Sequence, residues 1–247
     1  MKHSRGRGRI GLLVPFTNAN LEPDFGMMCP DGVSYHVARM GGYDEEEIPD
    51  ETQMQGLGAA ALDDPLTLLM GIKPDVIVYG CTSATLTHGP EFDRTLAERI
   101  ARQSGAKTVT AAGALIFSLR TLRVQRIGFA APYVPEIIAM AHRFLAESGF
   151  ETVAQAEVSG RLGNHEQGAL DPDAVFELGL RADHPDAEAI VLSCTEMRSV
   201  ETIARLEAAL GKPVVTSNQA MMFETLHALN LSDRVPGFGS LLIRNLQ

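Results

Sequence analysis

Residues 75–82 read Asp-Val-Ile-Val-Tyr-Gly-Cys-Thr, and residues 188–195 repeat the pattern as Glu-Ala-Ile-Val-Leu-Ser-Cys-Thr. Each stretch is a short, continuous apolar run, which is typical of a strand buried on both faces of a parallel sheet. Each run ends in a cysteine followed by a threonine. The repeat therefore predicts two equivalent strands that present the same polar pair at their carboxyl ends.

Two further pairs of stretches match in the same order along the chain. Residues 9–17 (Arg-Ile-Gly-Leu-Leu-Val-Pro-Phe-Thr) correspond to residues 126–134 (Arg-Ile-Gly-Phe-Ala-Ala-Pro-Tyr-Val), and residues 107–114 correspond to residues 212–220. Three matches in one order indicate an internal duplication that gives two similar lobes. We expect the first lobe to comprise residues 1–112, completed by residues 219–247, and the second lobe to comprise residues 113–218.

Apolar runs and amphipathic segments alternate along the whole chain, as they do in α/β proteins. The predicted strands are 9–15, 33–39, 74–80, 107–110, 126–131, 151–158, 187–193 and 212–216. The predicted helices are 50–71, 90–103, 111–122, 135–148, 172–182, 199–210 and 218–229. The fold class is therefore predicted as α/β, with two pseudo-symmetric, doubly wound, flavodoxin-like lobes built on parallel sheets.

Composition excludes several classes of function. The 247 residues include 21 Lys plus Arg and 31 Asp plus Glu, so a formal charge of −10 argues against a nucleic-acid partner. No apolar run approaches the roughly 18 residues of a membrane span, and the basic N-terminus has no apolar signal core, so we expect a cytoplasmic protein without a membrane partner. The three cysteines form no C-x-x-C pair, which predicts neither a disulfide framework nor a metal site.

The cysteines that end the two repeated strands are the candidate catalytic residues. Ligands of open α/β sheets bind beyond the carboxyl ends of the strands, so we expect Cys81 and Cys194 to approach each other across a single cleft between the lobes. A thiol with a reference pKa of about 8.5 can serve as a nucleophile or exchange a proton. One thiol can then attack or abstract while the other protonates, with no metal or organic cofactor. Cys29 has no counterpart in the repeat and is interpreted as a small buried apolar residue.

Polar residues next to these strand ends suit a small carboxylate substrate. Hydroxyl groups and the amides at a helix start both donate hydrogen bonds to anions, which is the role expected of Thr82, Ser83 and Thr195. Three further candidates lie in loops that follow strands, where a ligand would bind: Asn18, Tyr133 and Asn164.

The chain resembles the aspartate/glutamate racemase superfamily, and within it the branch of maleate cis-trans isomerases and arylmalonate decarboxylases. The resemblance covers nearly the whole chain. It is carried by the stretches Val14-Pro15-Phe16-Thr17-Asn18, Tyr79-Gly80-Cys81-Thr82-Ser83, Ala131-Pro132-Tyr133, Leu192-Ser193-Cys194-Thr195 and Gly211-Lys212-Pro213-Val214-Val215-Thr216-Ser217.

The resemblance implies a mechanism and assigns roles to the candidate residues. Cys81 would add to the double bond of a cis-diacid, the adduct would rotate, and the thiolate would leave as the trans-diacid forms. Cys194 would donate and accept the proton on the opposite side. Asn18, Tyr133 and Asn164 match positions that hold the substrate carboxylates, and Thr82 and Ser83 fall in the carboxylate-binding loop. The family also implies a homo-oligomer, a dimer or a tetramer, and no cofactor.

Four activities remain open from the sequence. The first is isomerisation of a small dicarboxylate, maleate to fumarate by preference. The second is a two-cysteine racemase or epimerase acting at a carbon alpha to a carboxylate, of the aspartate, glutamate or hydantoin type. Racemases usually have Asn-Thr after both cysteines, whereas in this chain Thr82-Ser83 follows Cys81 and Thr195-Glu196 follows Cys194. The third is an arylmalonate-type decarboxylase, against which Cys81 argues because those enzymes keep a single, second-lobe cysteine. The fourth is a non-catalytic binding protein for small acids.

Overall fold

Two four-stranded parallel sheets form the framework of the protein. The computed structural model describes residues 6–41 and 48–244. In chain order the strands are β1 (Gly8–Pro15), β2 (Val33–Met40), β3 (Val76–Tyr79), β4 (Lys107–Thr110), β5 (Arg126–Ala131), β6 (Glu151–Glu157), β7 (Ala189–Leu192) and β8 (Val214–Thr216). The strand orders are β2-β1-β3-β4 and β6-β5-β7-β8. The identical topology confirms the two similar doubly wound lobes predicted from the repeat.

The helices cover both faces of each sheet, which is why the central strands are apolar along their whole length. In chain order the helices are α1 (Leu21–Met28), α2 (Glu51–Ala59), α3 (Asp63–Met70), α4 (Thr82–Leu86), α5 (Pro90–Ser104), α6 (Ala111–Leu122), α7 (Pro135–Glu147), α8 (Asn164–Ala169), α9 (Pro172–Arg181), α10 (Ile203–Leu210) and α11 (Ser217–Ala228). All four residues of β3 and all four of β7 are buried. None of the helices in the described parts of the chain is long and apolar enough to cross a membrane.

The predicted helix 50–71 is wrong as a single element, because it is divided into α2 and α3. Asp50 caps α2 by accepting a hydrogen bond from the Gln53 amide at 3.0 Å. Pro65 has no N–H and is tolerated only in the first turn of a helix, so a new helix begins at Asp63. The predicted helix 199–210 likewise begins as a short 3-10 turn over Val200–Thr202 before α10.

Helices α6 and α11 join the two lobes. They are equivalent in the repeat, and each begins after a threonine whose hydroxyl caps it: Thr110 accepts from the Gly113 amide and Thr216 from the Gln219 amide. The two helices pack on one another, and the rings of Phe117 and Phe223 lie 5.9 Å apart. Each helix also contacts strands of both sheets, so the predicted division at residues 112/113 and 218/219 stays a prediction.

Candidate active site

A small cavity lies where the carboxyl ends of the two sheets meet, and residues of both lobes line it. All eight site residues predicted from the sequence line the cavity. The remaining lining residues are Pro15, Thr17, Pro49, Met54, Gln167 and Glu196. The duplicated strands thus bring both predicted catalytic cysteines to one place, one from each sheet.

Cys81 follows β3 and stands immediately before α4. Its side chain is buried, and its Sγ lies 3.6 Å from the Ser83 Oγ. Burial raises the pKa of the Cys81 thiol, while hydrogen bonds from the Ala84 amide and from the hydroxyl and amide of Ser83 oppose that rise. These three donors would stabilise a thiolate at Cys81, which is the nucleophilic form of cysteine.

Cys194 follows β7 in the other lobe and is surrounded differently. Burial raises the pKa of its thiol to about 12, although the amides of Glu196 and Met197 oppose the shift. The thiol donates a hydrogen bond to the Gln167 Oε1 at 3.6 Å. Cys194 is therefore protonated at neutral pH, and its proton is held next to the cavity.

Asn18 and Thr195 bond to each other across the two lobes. The Asn18 Nδ2 donates to the Thr195 Oγ1 at 3.1 Å, and that hydroxyl donates to the Gly80 carbonyl at 3.1 Å. The Asn18 Oδ1 accepts from the Asn20 and Leu21 amides at the start of α1. The Thr195 hydroxyl therefore donates its proton to the protein backbone and not to a ligand. The Thr195 backbone amide and the second N–H of Asn18 are the donors left for a ligand.

Ser217 links the Thr82 hydroxyl to the backbone amide of Cys194. The Thr82 Oγ1 donates to the Ser217 Oγ at 2.9 Å, and the same Ser217 Oγ accepts from the Cys194 amide at 3.2 Å. Ser217 begins α11, so one residue at the junction of the lobes fixes the loop of each cysteine. The sequence placed Ser217 in a repeated stretch but gave it no role.

Tyr133 and Asn164 supply uncharged donors. The Tyr133 hydroxyl lies 3.2 Å from the Ser193 Oγ, and burial raises the pKa of the phenol well above its ordinary value, so Tyr133 stays neutral. The Asn164 Nδ2 is buried without a hydrogen-bond partner in the described residues. Among the described residues that line the cavity there is no lysine or arginine. An anionic ligand would therefore be held by neutral donors.

Sequence reasoning gave no role to three polar residues of the cavity, Thr17, Gln167 and Glu196. Gln167 lies on α8, a six-residue helix too short to show apolar periodicity. Glu196 follows Thr195 directly and was read only as a departure from the racemase pattern. Cys29 lies outside the cavity lining, where its half-buried thiol donates to the Val33 carbonyl at 3.5 Å.

Comparisons with known proteins agree with this geometry. The family model of arylmalonate decarboxylase matches residues 10–242. A maleate isomerase of Geobacillus stearothermophilus is 30% identical over 250 residues, which is 95% of this chain and 96% of the relative.

Two solved structures superimpose closely. The maleate isomerase Iso from Pseudomonas putida S16 gives a TM-score of 0.87 at 26% identity and covers 96% of this chain and 98% of its own. A mutant of the Nocardia farcinica maleate cis-trans isomerase with a covalently bound succinylcysteine intermediate gives a TM-score of 0.88 at 25% identity, covering 97% of this chain and 99% of its own. The chain belongs to the arylmalonate decarboxylase family.

Proposed function

We propose that this protein is a cofactor-independent cis-trans isomerase of a small dicarboxylate, converting maleate to fumarate. The observation that carries the proposal is the placement of two buried thiols, one from each lobe, in one cavity lined by neutral hydrogen-bond donors. The maleate isomerases among its relatives, one of them with a succinylcysteine intermediate, support the same reaction.

Burial raises the pKa of the Cys81 thiol, so the reaction begins when that thiol has released its proton to solvent and become a thiolate. Its sulfur attacks one carbon of the double bond, and the π electrons move to the neighbouring carbon, which takes the proton of the Cys194 thiol. The product is a succinyl thioether on Cys81 and a thiolate on Cys194. Rotation about the new single bond brings the two carboxylates to the trans arrangement. The Cys194 thiolate then removes the proton from the carbon next to the C–S bond. That bond breaks, which forms fumarate and regenerates the Cys81 thiolate and the Cys194 thiol.

The different surroundings of the two thiols suit this division of roles. Cys81 has three hydrogen-bond donors that stabilise a thiolate. Cys194, with its pKa at about 12, carries the proton that the carbanion needs. Donors from Asn18, Tyr133 and Asn164 face the cavity and would hold the two carboxylates while charge builds up in the intermediate.

Proton NMR of the vinyl signals of maleate, with purified protein and no added cofactor, tests the proposal. We expect conversion to fumarate, and a loss of at least about a thousandfold in rate for Cys81→Ser, because the nucleophile is removed. Cys29→Ser is the matched control, since that thiol lies outside the cavity, and it should retain activity. Unchanged maleate with the wild-type protein would contradict the proposal. Deuterium uptake at the alpha carbon of chiral acids would then test the racemase alternative.

We also propose that the enzyme works in the cytoplasm on a free small acid and assembles as a dimer or a tetramer. The family resemblance supports an oligomer, and light scattering of the purified protein measures its mass. A monomeric mass at micromolar concentration would contradict that part of the proposal.

A further inference from the structure

Glu196 places a carboxyl group in the cavity, where none of the proposed steps uses it. The side chain is 9% exposed and lines the cavity. Its Oε1 accepts a hydrogen bond from the Ala19 amide at 3.1 Å. Its Oε2 is buried and has no hydrogen-bond partner in the described part of the chain. A buried carboxylate oxygen without a donor is costly, so this atom needs either a proton or a ligand.

Two charged groups of the first lobe act on Glu196. Arg39 on β2 favours the ionised form, but it is already paired with Glu22. Asp24 on α1 disfavours ionisation, and Glu196 itself raises the pKa of both Cys81 and Cys194. On the side of α8, a Cβ added at Gly168 would lie 2.4 Å from the Glu196 Oε1, so the helix backbone packs directly on the carboxyl.

Burial is the largest influence on the ionisation of Glu196. It raises the pKa of Glu196 to about 7, against the hydrogen bond from Ala19 and the attraction of Arg39. A dicarboxylate that enters the same cavity adds negative charge with no lysine or arginine among the described lining residues to offset it. Like charges at short range in a poorly solvated site favour the neutral acid further.

We propose that Glu196 binds the dicarboxylate substrate as a neutral carboxylic acid, donating its Oε2–H to a substrate carboxylate, so that each dianion bound brings one proton from solvent. This inference rests on the proposed function and specifies how the site tolerates an acidic residue. A neutral acid that donates to an anion is an established use of a buried carboxyl group. The Oε2 atom then has a hydrogen-bond partner. A neutral Glu196 also attracts a protonated amine less strongly than an ionised carboxylate would.

The coupling between dicarboxylate binding and protonation of Glu196 gives the expected proton uptake. With a pKa of about 7 in the free protein, about nine-tenths of Glu196 is ionised at pH 8, so binding should take up close to one proton per site. For the same reason the affinity should fall by about tenfold per pH unit well above pH 7.

Titration calorimetry with succinate tests the inference. Succinate is a saturated four-carbon dicarboxylate, so it cannot undergo thiol addition, and it is a dianion at pH 8. Measuring the binding enthalpy in phosphate and in Tris, whose ionisation enthalpies differ, gives the number of protons taken up. Glu196→Gln keeps the shape and a donor, and it should bind succinate within about threefold of the wild-type affinity at pH 7 with no proton uptake.

Glu224→Gln is the matched control. Glu224 also has a buried Oε2 without a hydrogen-bond partner in the described residues and a pKa raised to about 7, but it does not line the cavity. This variant should take up the same proton as the wild-type protein.

Each outcome separates the role of Glu196 from the isomerase reaction. Binding of succinate by the wild-type protein without proton uptake, or equal uptake by Glu196→Gln, overturns the inference even if maleate is converted to fumarate. Proton uptake that disappears in Glu196→Gln supports it even if maleate is left unchanged, in which case the proposed function alone fails. Absence of succinate binding to the wild-type protein overturns the inference as well.

Discussion

At the scale of single residues, the environment of each thiol sets its role. Cys81 and Cys194 occupy equivalent positions in the repeat, yet Cys81 has a hydroxyl and two amides around its sulfur, whereas Cys194 has two amides and the acceptor Gln167. The duplication therefore supplied two similar thiols, and the loops after the strands made them chemically different.

Replacement of Gln167 tests how Cys194 is positioned. The Gln167 Oε1 accepts the Cys194 thiol hydrogen bond, and its Nε2 donates to the Leu162 carbonyl at 3.1 Å. Gln167→Leu should lower kcat by about tenfold while KM changes by less than about threefold, because the proton donor is misplaced without loss of a substrate contact. Steady-state kinetics with maleate measures both constants. Gln155→Leu, at an exposed position on β6, is the control, and an unchanged kcat in Gln167→Leu would refute this role.

The eight candidate residues were predictable because they follow strands whose pattern is visible in the sequence. Cys81, Thr82 and Ser83 come directly after one apolar run, and Cys194 and Thr195 come after its repeat. Gln167 and Glu196 were not predicted. Gln167 reaches the cavity from the short helix α8, and the burial that makes Glu196 unusual depends on the packing of α8 and Ala19 against it.

At the scale of secondary-structure elements, the two lobes differ in the first strand of each repeat. Gly11 on β1 and Gly128 on β5 are equivalent positions, but a Cβ at Gly11 would meet the Ile77 Cδ1 at 2.6 Å, and a Cβ at Gly128 would meet the Ala182 carbonyl oxygen at 2.0 Å. The pairing of β5 with β6 also shifts register between Ile127 and Gly128. The flexible end of an isoleucine can move, whereas a backbone carbonyl cannot move alone.

Alanine substitutions at these two glycines should therefore have unequal effects. We expect Gly128→Ala to lower the free energy of unfolding by about 3 kcal/mol and Gly11→Ala by about 1 kcal/mol. Urea denaturation followed by circular dichroism measures both. Equal losses would mean that the close approach of β5 to Ala182 does not constrain the second lobe.

Element prediction succeeded where a glycine, a proline or an apolar run marked the boundary. It failed at residues 50–71, where the apolar residues continue across a break that Pro65 requires. It also passed over α1 and α8, which are only eight and six residues long and therefore show little apolar periodicity.

At the scale of the whole molecule, the buried carboxyl groups make stability depend on pH. Burial raises the pKa of Asp24 and Glu224 to about 7 and that of Asp93 to about 6. Between the unfolded pKa near 4 and these folded values, the native state holds more protons than the unfolded state. Stability should therefore fall as pH rises from about 4 to 7 and then level off.

Glu224→Gln isolates one of these groups. The variant lacks the ionisable carboxyl, so relative to wild type it should be more stable at pH 8 than at pH 5 by about 2 kcal/mol. Thermal or urea denaturation at the two pH values measures the difference. An identical pH dependence in the variant and the wild-type protein would contradict the assignment of Glu224 as a group that is neutral below pH 7.

The two lobes also bind each other through polar contacts that the sequence did not predict. Two side-chain hydrogen bonds hold the loops of the two cysteines together across the cavity, one from Asn18 to Thr195 and one from Thr82 to Ser217. The repeat indicated that the lobes would be similar and that the cysteines would face a common cleft. The specific bridging bonds depend on how α6 and α11 pack, which apolar periodicity does not determine.

Mass spectrometry of the Cys194→Ser variant after incubation with maleate tests the central claim most directly. The serine hydroxyl or water can still protonate the carbanion, but the thiolate that removes the proton again is absent, so the adduct should accumulate. We predict a mass increase of one maleate per chain, located on the peptide that contains Cys81 and absent from the double variant Cys81→Ser, Cys194→Ser. An unmodified Cys81 peptide under conditions in which the wild-type protein converts maleate would contradict covalent catalysis by Cys81.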